Sequence, residues 1–359
     1  MKIRKQQAFI SHLEYKGIPD DSLFLDIETT GLSPDRAFIY MISTVSVKDG
    51  DISFTNIMAE NASEEAELLD KTISIIREHD TLIHYNGDKF DLPFITKRCR
   101  AYGLDPGMDA HNSIDIYKHA RALKDILGLS GCKQKDIEKF LGVDREDIYS
   151  GKELISVYSE YSRTHSDELY DLLYQHNHDD VLGMLRILPI LAFEDLFNGA
   201  FDITDTRRGS YIAANGKEAE EIIISLVLNS PLPTSMCIND QGIYLVAKGN
   251  TATLKLPLLN SELRFFYDDP KDYYYLPLED MAVHKSLAQY VDKDHRIRAK
   301  AENCYTKKTG TFLPEWSPIY TPVFRTSYDS DTLYFELPES PVSKEYIDHI
   351  IKHLQIHKD

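Results

Sequence analysis

Residues 23–32 read Leu23-Phe24-Leu25-Asp26-Ile27-Glu28-Thr29-Thr30-Gly31-Leu32. A short apolar run interrupted only by two acids, and closed by Thr29-Thr30-Gly31 and the turn residues Ser33-Pro34-Asp35, reads as a β-strand. Residues i and i+2 of a strand leave the same face. Asp26 and Glu28 therefore project together, while Leu25 and Ile27 point into the opposite packing layer. Two neighbouring carboxylates repel each other. At the centre of a sheet such a pair needs a counter-charge, which a divalent cation supplies through hard oxygen ligation. A D-x-E on a solvated edge strand needs nothing of the kind, so its surroundings decide its meaning.

Working outward, residues 38–47 and 52–58 are two further strand candidates, separated by Lys48-Asp49-Gly50-Asp51, a hairpin signal. A helix follows with Asn61 or Ser63 as its cap, Glu64 and Glu65 in its first turn, and Leu69, Ile73 and Ile76 on one face. A fourth strand at 81–85 runs into Asn86-Gly87 and a helix whose start suits Pro93. Residues 113–117 read as a fifth strand and 134–141 as a short helix closed by Gly142. Residues 166–187 read as a long helix, with Leu169, Leu173, Met184 and Ile187 among its apolar positions and Pro189 kinking or ending it. The order βββαβαβα predicts an α/β domain with a mixed sheet flanked by helices, which matches the ribonuclease H-like topology.

The texture changes after Asn198-Gly199, and the domain boundary is placed there: one domain over 1–200 and a smaller, strand-rich α+β domain over 201–359. Residues 202–209 (DITDTRRG) read as a linker or functional loop, and 222–228 as an apolar helical segment. Strands are expected at 242–247, 252–256, 264–267 and 333–337, and a terminal helix from Ser343 carries Ile347, Ile351 and Leu354. The run Tyr273-Tyr274-Tyr275 alternates on a strand, which would bury one or two of its rings.

The 359 residues carry 40 Lys and Arg against 58 Asp and Glu, a formal net charge of −18, which excludes a simple basic nucleic-acid coat. The longest apolar stretch, 187–193, is too short to span a bilayer, and the N-terminal segment lacks the apolar region of a secretory signal. A cytoplasmic protein with no membrane partner is expected. Cys99, Cys132, Cys237 and Cys304 form no C-x-x-C and no dense framework, so reduced, mostly packed thiols are expected and a zinc site is not. Positive charge concentrates at 284–308 and at Arg207-Arg208, the two candidate phosphate-contacting surfaces.

Two more segments bear acids. After the fourth strand comes Asn86-Gly87-Asp88-Lys89-Phe90-Asp91, in which Asp91 is the candidate ligand and Asp88 the rival that could cap the next helix. In Tyr174-Gln175-His176-Asn177-His178-Asp179-Asp180, positions i and i+4 share a helix face, so His176 pairs with Asp180. The stripe through Leu173, His176, Asp180, Met184 and Ile187 is otherwise apolar and faces inward, whereas Asp179 sides with Gln175, Gly183 and Arg186. An ordinary helical ion pair would have the same spacing.

D-x-E, then N-x-x-x-F-D, then a histidine before a last Asp resembles the DEDD superfamily of 3′–5′ exonucleases. HYNGDKFDLPFI (84–95) and KDIEKFLGVDREDIYSG (135–151) bring the resemblance nearest to YprB-type ribonuclease H-like proteins, over roughly residues 20–195. The histidine stands at H-x-x-x-D, the spacing of the family's tyrosine branch; its histidine branch has H-x-x-x-x-D. The resemblance implies a nuclease that uses two Mg²⁺ or Mn²⁺ ions to release mononucleotides from the 3′ end of single-stranded DNA or RNA. It further implies that Asp26 bridges the ions, Glu28 and Asp180 hold the one that activates water, and Asp91 orients ligands from outside. His176 would orient or deprotonate the water, and Thr30, Gly31, Leu32, Asn86 and Phe90 would contact substrate. A ribonuclease H-like endonuclease and a non-catalytic nucleic-acid-binding module are the rival readings. The remaining acidic excess predicts weak, salt-sensitive engagement of a free end rather than strong duplex binding.

Overall fold

The structure, a computed structural model, describes residues 1–7, 15, 17–144, 151–213 and 215–356. Residues 145–150 of the 135–151 stretch lie outside the described residues. The chain divides into two compact units, one of Met1–Asp195 with Ser230–Thr234 and one of Leu196–Asn229 with Ser235–Asp359.

In chain order the first unit contains β1 (Lys2–Gln7), β2 (Ser22–Thr29), β3 (Ile39–Lys48), β4 (Asp51–Met58), α1 (Glu65–Ile76), β5 (Thr81–His84), α2 (Asp91–Ala101), β6 (Asn112–Asp115), α3 (Ile116–Leu127), α4 (Gln134–Leu141), α5 (Gly151–Thr164) and α6 (Asp167–Ile187). The six strands form one sheet in the order β1-β4-β3-β2-β5-β6. β2, β3 and β4 are antiparallel neighbours, and β2-β5 and β5-β6 pair in parallel. This is the mixed, helix-flanked sheet of a ribonuclease H-like fold, as expected.

The two faces of β2 bury different things. Leu23, Leu25 and Ile27 pack with Ile42, Ile57 and the apolar sides of α1 and α2. On the other side Tyr40, Met41 and Met58 pack with Leu154, Tyr158 and Tyr161 of α5 and with Tyr170 and Leu173 of α6. Burial of these side chains supplies the main driving force for the layered arrangement. Glu65, fully buried, accepts hydrogen bonds from the Ile39 amide (2.8 Å), Arg98 Nε (2.9 Å) and the Tyr102 hydroxyl (2.9 Å). It thereby fixes α1 and α2 against β3.

Several expectations are corrected. β1 was not foreseen, because its Lys2, Arg4 and Lys5 keep an exposed edge strand polar. The strand expected at 113–117 stops at Asp115, whose side chain accepts from the Tyr117 amide and starts α3. α3 and α5 were also missed. Cys99 and Cys304 are buried, Cys132 is half-buried and Cys237 exposed, and all four are free thiols. Among the described residues no helix is long and apolar enough to cross a membrane.

The chain continues with α7 (Leu191–Phe197), β7 (Phe201–Ile212), β8 (Glu218–Asp240), β9 (Ile243–Pro257), β10 (Leu259–Phe266), β11 (Tyr273–Leu276), β12 (Met281–His284), α8 (Lys285–Ala288), β13 (Ile297–Arg298), β14 (Tyr305–Glu315), β15 (Leu333–Glu336) and α9 (Lys344–Ile356). These strands form the three-stranded sheets β7-β8-β9, β10-β14-β15 and β12-β11-β13. Residues 202–209 are therefore a strand and not a linker, paired with β8 from Phe201 opposite Leu228 to Ile212 opposite Glu218. Because β7 is solvated along most of its length, it lacks the two-residue apolar alternation that would have marked it.

Residues 222–228 are likewise strand, not helix. A continuous apolar run is ambiguous by periodicity, and the β-branched Ile222, Ile223, Ile224 and Val227 fit a pleated surface better. The three tyrosines at 273–275 are all half-buried rather than core. Tyr273 stacks on Tyr267, Tyr274 lies under Arg298, and the Tyr275 hydroxyl donates to Asp280. In the basic segment 284–308, Lys285 pairs with Asp272, Lys307 with Asp280 and Lys308 with Glu336, which reduces the positive charge offered to phosphate.

Candidate active site

Strand β2 outruns its parallel neighbour. Pairing with β5 ends at Phe24 opposite Ile83, so Asp26 and Glu28 lie beyond the end of β5. Past that point the Ile27 amide would lack a ladder acceptor, and Asp91 Oδ1 fills the role at 3.3 Å. The carboxylate of α2's first residue is thus drawn to the backbone between the two acids of β2, at the carboxyl end of the strand, the end at which α/β sheets hold ligands.

The turn that delivers Asp91 is built from polar contacts. Asn86 takes a left-handed conformation at φ 61°, and its amide donates to Asp115 Oδ1 at 2.7 Å. The Gly87 amide donates to His84 Nδ1 at 3.1 Å. Asp88 faces away, accepting from Ser113 Oγ at 2.7 Å and pairing with Lys118, so it does not cap α2. A Cβ on Gly87 would lie 2.6 Å from the buried His84 ring. Gly87→Ala is accordingly expected to destabilise by roughly 1–3 kcal/mol through overpacking and to weaken cation binding by displacing Asp91. Urea unfolding and Mn²⁺ titration check this; unchanged values in both would show that the turn yields freely.

From α6, His176 Nε2 lies 3.1 Å from Asp180 Oδ2 and 3.3 Å from Glu28 Oε1. Donor atoms of Glu28, His176 and Asp180 all fall within 4.8 Å of one another. Asp179 instead takes a 2.8 Å hydrogen bond from Gln175, and His178 meets Gln6. All five residues expected to be catalytic, Asp26, Glu28, Asp91, His176 and Asp180, are therefore mutually adjacent or electrostatically linked.

The expected substrate residues divide. Leu32 is 84% exposed just beyond β2, and Thr30 and Gly31 form the turn beside it. Phe90 packs into the α1–α2 core against Phe94, with ring centroids 5.5 Å apart, so its environment is that of a packing residue. Asn86 is half-buried in the turn described above.

One participant was missed. Asn177, fully buried, donates from Nδ2 to Asp26 Oδ2 at 2.5 Å, and its Oδ1 lies 3.4 Å from Asn56 Nδ2, which also donates to Ser43 Oγ at 2.9 Å. The signal was present. Asn177 continues the apolar series Tyr170, Leu173, Val181 on α6, and a lone amide in an inward stripe must find a buried partner. Tyr40, stacked on Tyr158 at 3.9 Å, brings its buried hydroxyl beside Glu28, and burial next to that carboxylate pushes its pKa well up.

The electrostatics are those of acids held without enough counter-charge. Burial, followed by the fields of Asp180, Asp91 and Glu28, pushes Asp26 well above the usual carboxylate range. Burial pushes Asp91 up to about 7, against the opposing pull of its backbone hydrogen bonds. Burial would lower His176, but the hydrogen bonds and charges of Asp180 and Glu28 outweigh it and raise it to about 11. Hard carboxylate oxygens, partly desolvated and repelling one another, are a donor set suited to divalent cations.

A pH dependence follows. A carboxyl with a raised pKa binds its proton more tightly in the fold, so stability falls as pH climbs from the unfolded value near 4 through the folded one. For Asp91 that window ends at about 7, and Asp26 shifts in the same direction. The His176 pairing is likewise complete below its unfolded value near 6.5 and is lost as pH rises toward about 11. Chelator-treated protein is expected to be less stable at pH 8 than at pH 5 by on the order of 2–3 kcal/mol, with Mn²⁺ restoring stability mainly at pH 8. Guanidinium unfolding with and without Mn²⁺ at both pH values is the check; equal metal-free stabilities would contradict it.

A second group, His84, Asp88 and Asp115, also brings its donor atoms within 4.8 Å. Its atoms are engaged by the Gly87 and Asn86 amides, Ser113 and Lys118, and it serves the turn that carries Asp91.

Residues 23–192 match the family model described as RNase_H superfamily. A 77-residue stretch is 34% identical to a DNA polymerase of Methanocaldococcus jannaschii, covering 20% of this chain and 5% of that protein. Among solved structures, the family B DNA polymerase of Pyrobaculum calidifontis is similar at 16% identity and TM-score 0.39, over 51% of this chain and 25% of that one. E. coli exonuclease I in complex with a dT13 oligonucleotide is similar at 11% identity and TM-score 0.34, over 58% of this chain and 55% of that one. The chain thus spans a twentieth of the polymerase it matches in sequence and about half of exonuclease I.

Proposed function

We propose that this chain, whose residues 23–192 form a domain of ribonuclease H type, is a divalent-cation-dependent 3′–5′ exonuclease acting on single-stranded DNA or RNA. The observation that carries the reading is the convergence of Asp26, Glu28, Asp91 and Asp180, from two β2 positions and two helices, on one crevice at the end of β2.

In this reading Asp26, Glu28 and Asp180 hold two Mg²⁺ or Mn²⁺ ions, and Asp91 steadies the β2 backbone between Asp26 and Glu28. Bound cations supply activation of water and stabilisation of the departing 3′ oxygen. They also reverse the local field, giving phosphate a positive target on an acidic protein. Asn177 fixes the orientation of Asp26. Leu32, held in solvent at the rim, offers an apolar surface to the terminal base, a contact that tolerates every base.

The test is degradation of a 5′-labelled single strand beside a covalently closed circle of the same composition, with Mg²⁺ or Mn²⁺. A ladder shortening from the 3′ end, with the circle intact, is expected. Cleavage of the circle would favour an endonuclease, and binding without cleavage a non-catalytic module.

A further inference from the structure

We infer that His176 is itself a ligand of the bound cation, which makes the site selective for transition-metal ions over Mg²⁺. The inference rests on the nuclease reading above and replaces the water-activating role that the family resemblance implied for this residue. Nε2 lies 3.1 Å from Asp180 Oδ2 and 3.3 Å from Glu28 Oε1. Donors about 2.1 Å from a six-coordinate ion stand about 3 Å apart along each cis edge. The imidazole therefore occupies a corner of the donor set rather than a place outside it, and a base for a cation's water must stand outside.

The spacing explains why. A histidine one helical turn before Asp180 projects from the same face of α6, which brings its Nε2 to 3.1 Å from the carboxylate. Both donors come from one helix and the third from β2, so no flexible segment is involved. Burial of His176 and Glu28 holds the ring in place.

The donor chemistry sets the preference. Mg²⁺ favours oxygen ligands and retains its waters, whereas imidazole nitrogen suits the later first-row ions such as Zn²⁺ and is tolerated by Mn²⁺, the weakest binder of that series. One nitrogen among carboxylates should raise affinity for these ions without a matching gain for Mg²⁺.

The experiment titrates the full chain with Mn²⁺ and with Mg²⁺ and records electron spin-echo modulation of the Mn²⁺-loaded protein, which reports nitrogen nuclei directly bonded to the ion. Expected are ¹⁴N modulation in the wild type and Mn²⁺ affinity roughly 100-fold or more above that for Mg²⁺. In His176→Gln and His176→Phe the modulation should vanish and Mn²⁺ affinity should fall 10-fold or more, with Mg²⁺ affinity changing little. The wild-type spectrum stands even if a variant misfolds. Bound Mn²⁺ without ¹⁴N modulation, or modulation that survives in His176→Gln, overturns the inference while leaving the nuclease reading intact. Failure of the wild type to bind Mn²⁺ at millimolar concentration overturns both.

Discussion

Asp26→Asn is expected to reduce nucleotide release from a single strand by about 1,000-fold or more, equivalent to about 4 kcal/mol of transition-state stabilisation. The substitution is nearly isosteric, so packing on β2 is preserved. It removes a charge from a carboxylate that feels Asp180, Asp91, Glu28 and His176 together. A neutral amide is a poorer cation ligand than a carboxylate, so cation affinity should drop along with the rate. The metal-free variant should be as stable as the wild type or more so at pH 8, because a strained charge has gone. Rate, Mn²⁺ affinity and unfolding free energy are read on one preparation. Full activity with Mn²⁺ would remove Asp26 from the site.

Asn177→Asp should have the largest effect on stability, lowering it by about 3–5 kcal/mol at pH 8 in the absence of cation. It puts a second carboxylate 2.5 Å from Asp26 Oδ2 at a fully buried position. The donor that satisfied Asp26 becomes an acceptor, and two like charges share a desolvated space. The deficit should shrink as pH falls and one acid takes up a proton, and shrink again when Mn²⁺ is added. Asn177→Ala, which only removes the hydrogen bond, should be milder and should not respond to pH in this way. A deficit for Asn177→Asp that is independent of both pH and Mn²⁺ would place the Asn177–Asp26 contact outside the electrostatics of the site.

Much of the first unit was legible because its signals are local. The D-G hairpin between β3 and β4 and the Gly142 stop of α4 each need only a few consecutive residues, and each element lies where its signal placed it. Edge strand β1 escaped because solvation erases alternation. The apolar run 222–228 was misread because it stays apolar even at the exposed Val227, which erases periodicity. For β1 the missing information lay in β4, well along the chain, and for β8 in its hairpin neighbour β7.

The same division holds for the site. By itself the sequence determined that Asp26 and Glu28 share a face of one strand and that His176 and Asp180 share a face of one helix. Both follow from the two-residue and four-residue repeats of backbone geometry. Tertiary structure alone decided that these faces meet, that Asp91 takes over the Ile27 amide where β5 ends, and that Asn177 reaches Asp26 across 151 residues of chain. It also decided how far the His176 ring extends relative to the carboxylates. Those are matters of distance between elements, set by how β2, α2 and α6 pack, and no local repeat encodes them.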